Sequence, residues 1–197
     1  MIDYIKGSIE ELTPTVVVLD NHGVGYSIEI SLQTYASLEN LKEAKVYIYH
    51  HIQNNSDVEM FYGFFSKDER ALFELLISVS GVGVNTARVI LSSFTADEFR
   101  SVILSENVNA IKSVKGIGLK TAQRMILELK DKIAKGEGIA STILTANTNN
   151  AVIDEAASAL LMLGFSKQNI NKALQQITSS GTTGKVEDLI KAALQIL

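Results

Sequence analysis

The sequence predicts a multidomain α+β protein, and three observations carry that prediction. Residues 1–64 alternate apolar and polar side chains, the period of half-buried strands. From Phe65 the apolar positions recur at helical spacing, and a glycine motif is written twice within residues 65–136. Residues 151–197 are helical again, in three short amphipathic stretches. Between the last two blocks, residues 137–150 show neither period and read as a flexible linker.

In the first block, YIKGSIEEL, TVVVLDNHGVGYSIEIS, KVYIYHHIQ and EMFYGFF supply five strands rich in Val, Ile and Tyr. Turn signals at Thr13-Pro14, Asp20-Asn21-His22-Gly23 and Asn54-Asn55-Ser56 separate them. LQTYASLENL, between the third and fourth strands, reads as one short helix. Five strands with a helix after the third is the order of an OB-type barrel, a fold often used on oligonucleotides, although an SH3-like or other small barrel fits too. The tip Asn54-Asn55-Ser56-Asp57, with Glu59, is polar and partly acidic. It is either a solvated turn or an acidic pin, Asp57 and Glu59, whose charge repels phosphates and holds strands apart. His50 and His51 are adjacent on a strand and point to opposite faces, so they read as strand residues rather than metal ligands.

The second block is built on a repeat. SGVGVNTARVIL (Ser80–Leu91) and KGIGLKTAQRMI (Lys115–Ile126) share the frame Gly-aliphatic-Gly-x-x-Thr-Ala. Gly81, Gly83, Thr86 and Ala87 recur as Gly116, Gly118, Thr121 and Ala122. Each copy sits between helical runs, the form of a helix-hairpin-helix unit. The glycines are expected to allow positive φ and close backbone approach, and the Thr to cap the following helix. The first amides of that helix carry the positive end of its dipole, so the unit is suited to an anion, here a DNA phosphate. The candidate DNA contacts are Gly81, Val82, Gly83, Asn85, Thr86 and Arg88 in the first copy. In the second they are Gly116, Ile117, Gly118, Lys120, Thr121 and Arg124. Ser66 with Glu69 and Thr95 with Glu98 predict capping boxes. Lys130, Lys132 and Lys135 end the last helix of the block, either as solvated charge favoured by the dipole or as DNA-facing groups.

Charge supports that placement. Residues 1–64 carry three Lys and Arg against nine Asp and Glu, whereas residues 65–136 carry eleven against eight. The only basic balance in an acidic chain thus coincides with the glycine repeat. With no Cys, a disulfide frame, a thiol nucleophile and a thiolate metal site are excluded. The absence of a long apolar run or signal-like start predicts a cytoplasmic protein that uses no membrane. Neither KGIGLKT nor SSGTTGKV satisfies a P-loop, and Thr86 and Thr121 stand where a dinucleotide fingerprint needs its third Gly. No catalytic site, metal or cofactor is predicted.

The last block reads as a three-helix module: VIDEAASALLMLGF, SKQNINKALQQITS and KVEDLIKAALQIL. Ala156, Leu160, Leu163, Ile170, Ala173, Leu174, Ile177, Leu189, Ile190 and Leu194 are its expected core. The phrase LMLGFS resembles the turn of ubiquitin-associated (UBA-like) modules, which bind proteins through an exposed apolar face. Leu161 and Met162, beside the Gly164-Phe165 turn, fit either core or contact face.

The order of barrel (residues 1–64), tandem helix-hairpin-helix (65–136), linker (137–150) and three-helix module (151–197) resembles the RuvA family over essentially the whole length. The likeness is most specific at FYGFFSKDERALFELLISVSGVG (Phe61–Gly83), at VKGIGLKTAQRMILELKDK (Val114–Lys132) and at Gly23–Tyr26. It implies a non-catalytic homotetramer, or octamer of two tetramers, that holds a four-way (Holliday) junction open and planar. The hairpins would grip the minor-groove backbone of each arm, and the acidic pin would sit at the centre. The terminal module, through Leu161, Met162, Gly164 and Phe165, would bind a RuvB-type ATPase motor for branch migration in recombination and repair. A RuvC-type junction resolvase is a further implied partner. The chain departs from the family pattern at Ser56, where an acidic residue often precedes Asp57, and at Asn85 and Leu119, where Lys is common. The alternative function is a general duplex-binding accessory protein of a repair enzyme, since helix-hairpin-helix pairs serve many of these. An enzyme working in the barrel cleft is a third reading, disfavoured by the lack of clustered catalytic residues.

Overall fold

A computed structural model describes residues 2–52, 59–136, 138, 148–179 and 185–197. Strands β1 (Tyr4–Leu12), β2 (Val16–Asn21) and β3 (Val24–Ile30) form an antiparallel meander. Helix α1 (Leu32–Leu38) follows, capped by Ser31, whose hydroxyl accepts from the Thr34 amide. Strand β4 (Glu43–Ile52) then pairs antiparallel with β1 on one side and with β5 (Glu59–Phe64) on the other. β5 lies parallel to β3, matching Ile28 to Phe61 and Ile30 to Gly63. The sheet therefore closes as β1-β2-β3-β5-β4, the OB-type order.

Alternation fills the barrel. Val17 and Leu19 of β2, Ile28 and Ile30 of β3, and Val46 and Ile48 of β4 turn inward, and Leu38 of α1 is buried in the same cluster. Each buried aliphatic side chain contributes roughly 1.5–3 kcal/mol over leaving it exposed. The opposite faces of β4 and β5 are also engaged. Tyr49, Tyr62 and Phe64 meet the Phe73 ring at centroid distances of 5.3, 5.6 and 4.9 Å. Phe73 belongs to α2 (Lys67–Ile77), the first of five helices on one continuous core, with α3 (Val84–Ser93), α4 (Ala96–Leu104), α5 (Val108–Lys112) and α6 (Leu119–Ala134). Barrel and helices form one compact unit, Met1–Ala140, and the remainder, Ser141–Leu197, forms a second.

Polar ties reinforce that joint. Ser66 caps α2 by accepting from the Glu69 amide at 3.1 Å, but Glu69 does not complete the expected capping box. Its carboxylate instead accepts from the Ser31 hydroxyl at 2.7 Å, the Thr34 hydroxyl at 2.9 Å and the Phe65 amide at 3.1 Å. A barrel helix and α2 thus share one buried acid, and three donors outcompete a single amide for it. Burial pushes the Glu69 carboxyl above its usual range, opposed by those hydrogen bonds. Arg70 donates to the Asp3 carboxylate at 2.7 Å and to the Ile48 carbonyl at 3.3 Å, again linking α2 to the barrel. Arg100, buried on α4, clasps Asp68 through both terminal nitrogens at 2.9 and 2.8 Å and reaches the Gly138 carbonyl. The Thr95–Glu98 box at the start of α4 is complete, as expected.

In the second unit, α7 (Thr148–Met162), α8 (Lys167–Ser179) and α9 (Val186–Leu194) pack on one another. Ala156, Leu160, Ile170, Ala173, Leu174, Ile177, Leu189 and Ala193 are buried, with Ile190 packed against them. Leu163 and Leu194, expected in this core, are exposed. Leu163 follows the last residue of α7 and lies before the reversal at Gly164 (φ 95°), so its side chain leaves the buried face. Leu194 is the last residue of α9, where the helical face runs out.

Candidate nucleic-acid interface

The two glycine turns are alike hydrogen bond for hydrogen bond. In the first, the Val82 amide donates to the Val79 carbonyl at 3.0 Å and the Ala87 amide to the Gly83 carbonyl at 3.0 Å. In the second, Ile117 donates to Val114 at 3.1 Å and Ala122 to Gly118 at 3.0 Å. Val82 and Ile117 are buried between glycines that are exposed. The aliphatic residue anchors each turn to the core and leaves the backbone on either side facing solvent.

The four glycines divide into two kinds. Gly81 and Gly116 have φ of 89°, a left-handed conformation in which a side chain is strained. Gly83 and Gly118 do not share that requirement: they are the N-caps of α3 and α6, with extended backbone at φ −90° and −83°. A Cβ at any of the four would meet nothing within 4 Å. At Gly83 and Gly118, then, neither φ nor a close contact among the described residues excludes a side chain, and glycine is there a favoured N-cap.

The sequence expectation that Thr86 and Thr121 cap these helices is corrected by the structure. Both lie at the third helical position, and neither N-cap has a side-chain hydrogen bond. A glycine cap has no oxygen to offer, so the first-turn amides are left without a side-chain acceptor, and no acidic residue stands in either first turn. Among the described residues, neither a side-chain cap nor a first-turn acid offsets the positive dipole ends of α3 and α6.

The basic candidates are not equivalent. Arg88 forms an ion pair with Glu29 of β3, and burial lowers its pKa. It ties α3 to the barrel. Lys120 is exposed at the start of α6. Arg124, one turn on, donates to the Ser80 carbonyl at 3.3 Å and the Ser80 hydroxyl at 3.2 Å, so α6 reaches the residue before Gly81. Lys132 donates to the Ser78 hydroxyl at 3.3 Å. α6 is thereby tied to the segment that leads into the first turn. Asn85 is exposed and Thr86 half-buried. Lys130 is paired with Glu106, and Lys135 is exposed. Sequence reasoning missed two exposed cations beside the second turn, Lys112 and Lys115, although their signal is legible in the string KSVKGIG.

Of the acidic pin, Asp57 lies outside the described residues. Glu59 opens β5, 60% exposed, with the His50 ring nitrogen 3.1 Å from its carboxylate. In the second unit Leu161, Met162 and Leu163 are 54, 91 and 60% exposed, which places the first two on the surface rather than in the core. The Phe165 amide donates to the Leu160 carbonyl across Gly164, and the Phe165 ring packs against the core.

Comparison with known proteins decides the family. Residues 1–61 match the RuvA N terminal domain, residues 73–131 the SAM-like helix-hairpin-helix tandem and residues 151–197 the RuvA C-terminal domain. The chain is 48% identical over 204 residues to the Holliday junction branch migration complex subunit RuvA of Bacteroides fragilis. It is 49% identical over 198 residues to the protein so named in Parabacteroides distasonis and 42% over 200 residues to that of Cytophaga hutchinsonii. All three alignments cover 100% of both chains. The chain belongs to the RuvA family.

Within that frame the tandem match encloses both glycine turns, and the C-terminal match coincides with α7–α9 and their exposed Leu161–Met162 corner. Among the described residues no group of three or more His, Cys, Asp or Glu is placed to hold a metal, and no helix is long and apolar enough to cross a membrane.

Proposed function

We propose that this member of the RuvA family is a non-catalytic, structure-selective DNA-binding subunit. It holds a four-way junction open as a cytoplasmic homotetramer or octamer and recruits a RuvB-type ATPase through residues 151–197. Gly81 to Thr86 and Gly116 to Thr121 present backbone amides to the phosphates of an arm. Lys120 and Arg124 add charge. Arg88 supports the first hairpin through Glu29 rather than touching DNA. Asp57 and Glu59 form the pin near the junction centre, and Leu161 and Met162 form the motor-facing surface. The family relationship supports the partner assignments. Residue by residue, the reading rests on Gly83 and Gly118, exposed N-caps at which an added side chain would meet no atom of the described residues and would stand over the first-turn amides.

Gly83→Val with Gly118→Val tests it. At an extended φ valine is unstrained, and each lost glycine cap costs about 1 kcal/mol, so the variant is expected to stay folded with a modestly lowered melting temperature while junction affinity falls at least tenfold. Unchanged affinity in a folded variant would remove the phosphate assignment. Gly81 and Gly116 are poorer sites for this test, since a β-branched residue at φ 89° disturbs the turn itself.

A further inference from the structure

Resting on the DNA-binding reading above, we infer that the outer face of β1 and β4 is a further nucleic-acid contact, in which Lys6, Lys45 and Lys67 hold backbone phosphates. Residues 1–64 contain three cations, Lys6, Lys42 and Lys45, against nine acids. The strand register sets two of them directly opposite each other, Lys6 beside Lys45, and makes Tyr4 and Tyr47 the next pair on that face. The face points away from the core, since the alternate residues Ile5, Ala44, Val46 and Ile48 are buried. Like charges directly opposite on a sheet are destabilising. In a closed barrel β1 and β4 have no free edge for lysines to protect. Lys6, Lys45 and Lys67 are exposed, and none has an ion-pair partner among the described residues. A bound anion would relieve the repulsion.

The tyrosines position these cations without neutralising them. The Lys45 ammonium lies 3.9 Å from the Tyr4 ring centroid and 5.1 Å from that of Tyr47. Lys67, at the start of α2, and Arg70 approach the Tyr47 ring at 5.8 and 5.7 Å. Arg70 is taken by Asp3, whose carboxyl is held below its usual range first by that hydrogen bond and further by the nearby charges of Arg70, Lys67 and Lys45. Glu43, opposite Ser8, and Glu10, which accepts from the Ser8 hydroxyl, bound the face at its far end.

Lysine and tyrosine are among the side chains that hold nucleic-acid phosphate and sugar. Lysine is depleted at protein–protein interfaces, so a DNA backbone fits three exposed lysines better than a second copy of the chain does. The first glycine turn follows the other end of α2, roughly 16 Å of helix away, which makes this contact separate from the first hairpin. The experiment titrates a fluorescent four-way junction with the full chain over a range of KCl. The wild type is compared with Lys6→Ala, Lys6→Ala/Lys45→Ala, Lys6→Arg/Lys45→Arg and Lys185→Ala/Lys191→Ala, the last removing the same charge from the second unit. Melting temperature and mass by light scattering are measured for each.

Lys6→Ala/Lys45→Ala is expected to flatten the dependence of log affinity on log salt by about 0.9 for each phosphate no longer neutralised, and the arginine pair to retain the slope. Lys6→Ala, which leaves Lys45 on its rings, is expected to melt near the wild type and to flatten the slope by about 0.9. The second-unit pair is expected to leave the slope unchanged. A wild-type slope in Lys6→Ala and in the double alanine variant, or an equal flattening by the second-unit pair, would overturn the barrel contact. So would a fall in mass, which would make the face an interface between copies. Failure of the wild type to bind the junction at any salt would instead overturn the DNA-binding reading itself.

Discussion

Glu69 shows how a single side chain can be read correctly as a type and wrongly as a partner. The Ser-x-x-Glu spacing predicts a box closed within α2, and half of it forms, with the Ser66 hydroxyl accepting from the Glu69 amide. The carboxylate is taken by Ser31, Thr34 and Phe65, none of which lies within α2. Burial raises its pKa, so the folded state holds this proton more tightly than the unfolded chain. Its contribution to stability is therefore fully present below the ordinary glutamate range and is lost as pH rises through the raised value. Glu69→Gln is expected to lack that decline, so its denaturation midpoint should fall less than the parent's from acid to neutral pH. Parallel midpoints across the range would contradict this. Arg100 is the companion case. It clasps Asp68 at two points while only 9% of its side chain is exposed, so Arg100→Ala is expected to cost about 3 kcal/mol in urea denaturation. A change under 1 kcal/mol would place the stability of this joint in the apolar core instead.

At the scale of elements, period and punctuation make most of the fold legible. Alternation with turn signals marks the five strands and α1, and the sheet closes as β1-β2-β3-β5-β4. The paired Gly-x-Gly frames mark both hairpins. What pattern cannot supply is the partner of a long polar side chain, because that depends on which distant element folds against it. Arg88 has the spacing of a phosphate ligand and pairs instead with Glu29, 59 residues earlier. Thr86 and Thr121 have the chemistry of caps but stand inside the first turn rather than ahead of it. Leu163 keeps the helical period of α7, yet the helix has ended before it. The same helix end exposes Leu161 and Met162, a small apolar surface on the second unit. Leu161→Asp with Met162→Asp is expected to leave junction affinity unchanged and to lower pull-down of a RuvB-type motor at least tenfold. Retained pull-down would move the motor site elsewhere.

The whole molecule combines an acidic barrel with a basic helical layer in one compact unit, and a second unit that is nearly neutral. Such a chain, weakly charged and with modest individual sites, gains by repetition: several copies on one DNA convert later binding events into intramolecular ones. In the proposed assembly a four-armed ligand suits that logic better than a linear one, since four protomers would each take an arm, with the barrels and Glu59, at the start of β5, toward the crossing. The most direct measurement is the affinity of the full chain, without nucleotide, for a four-way junction and for linear duplex of matched length at one salt concentration with competitor duplex present. The account predicts binding to the junction at least a hundredfold tighter than to the duplex. Equal affinity for the two would contradict it and leave a general duplex-binding protein.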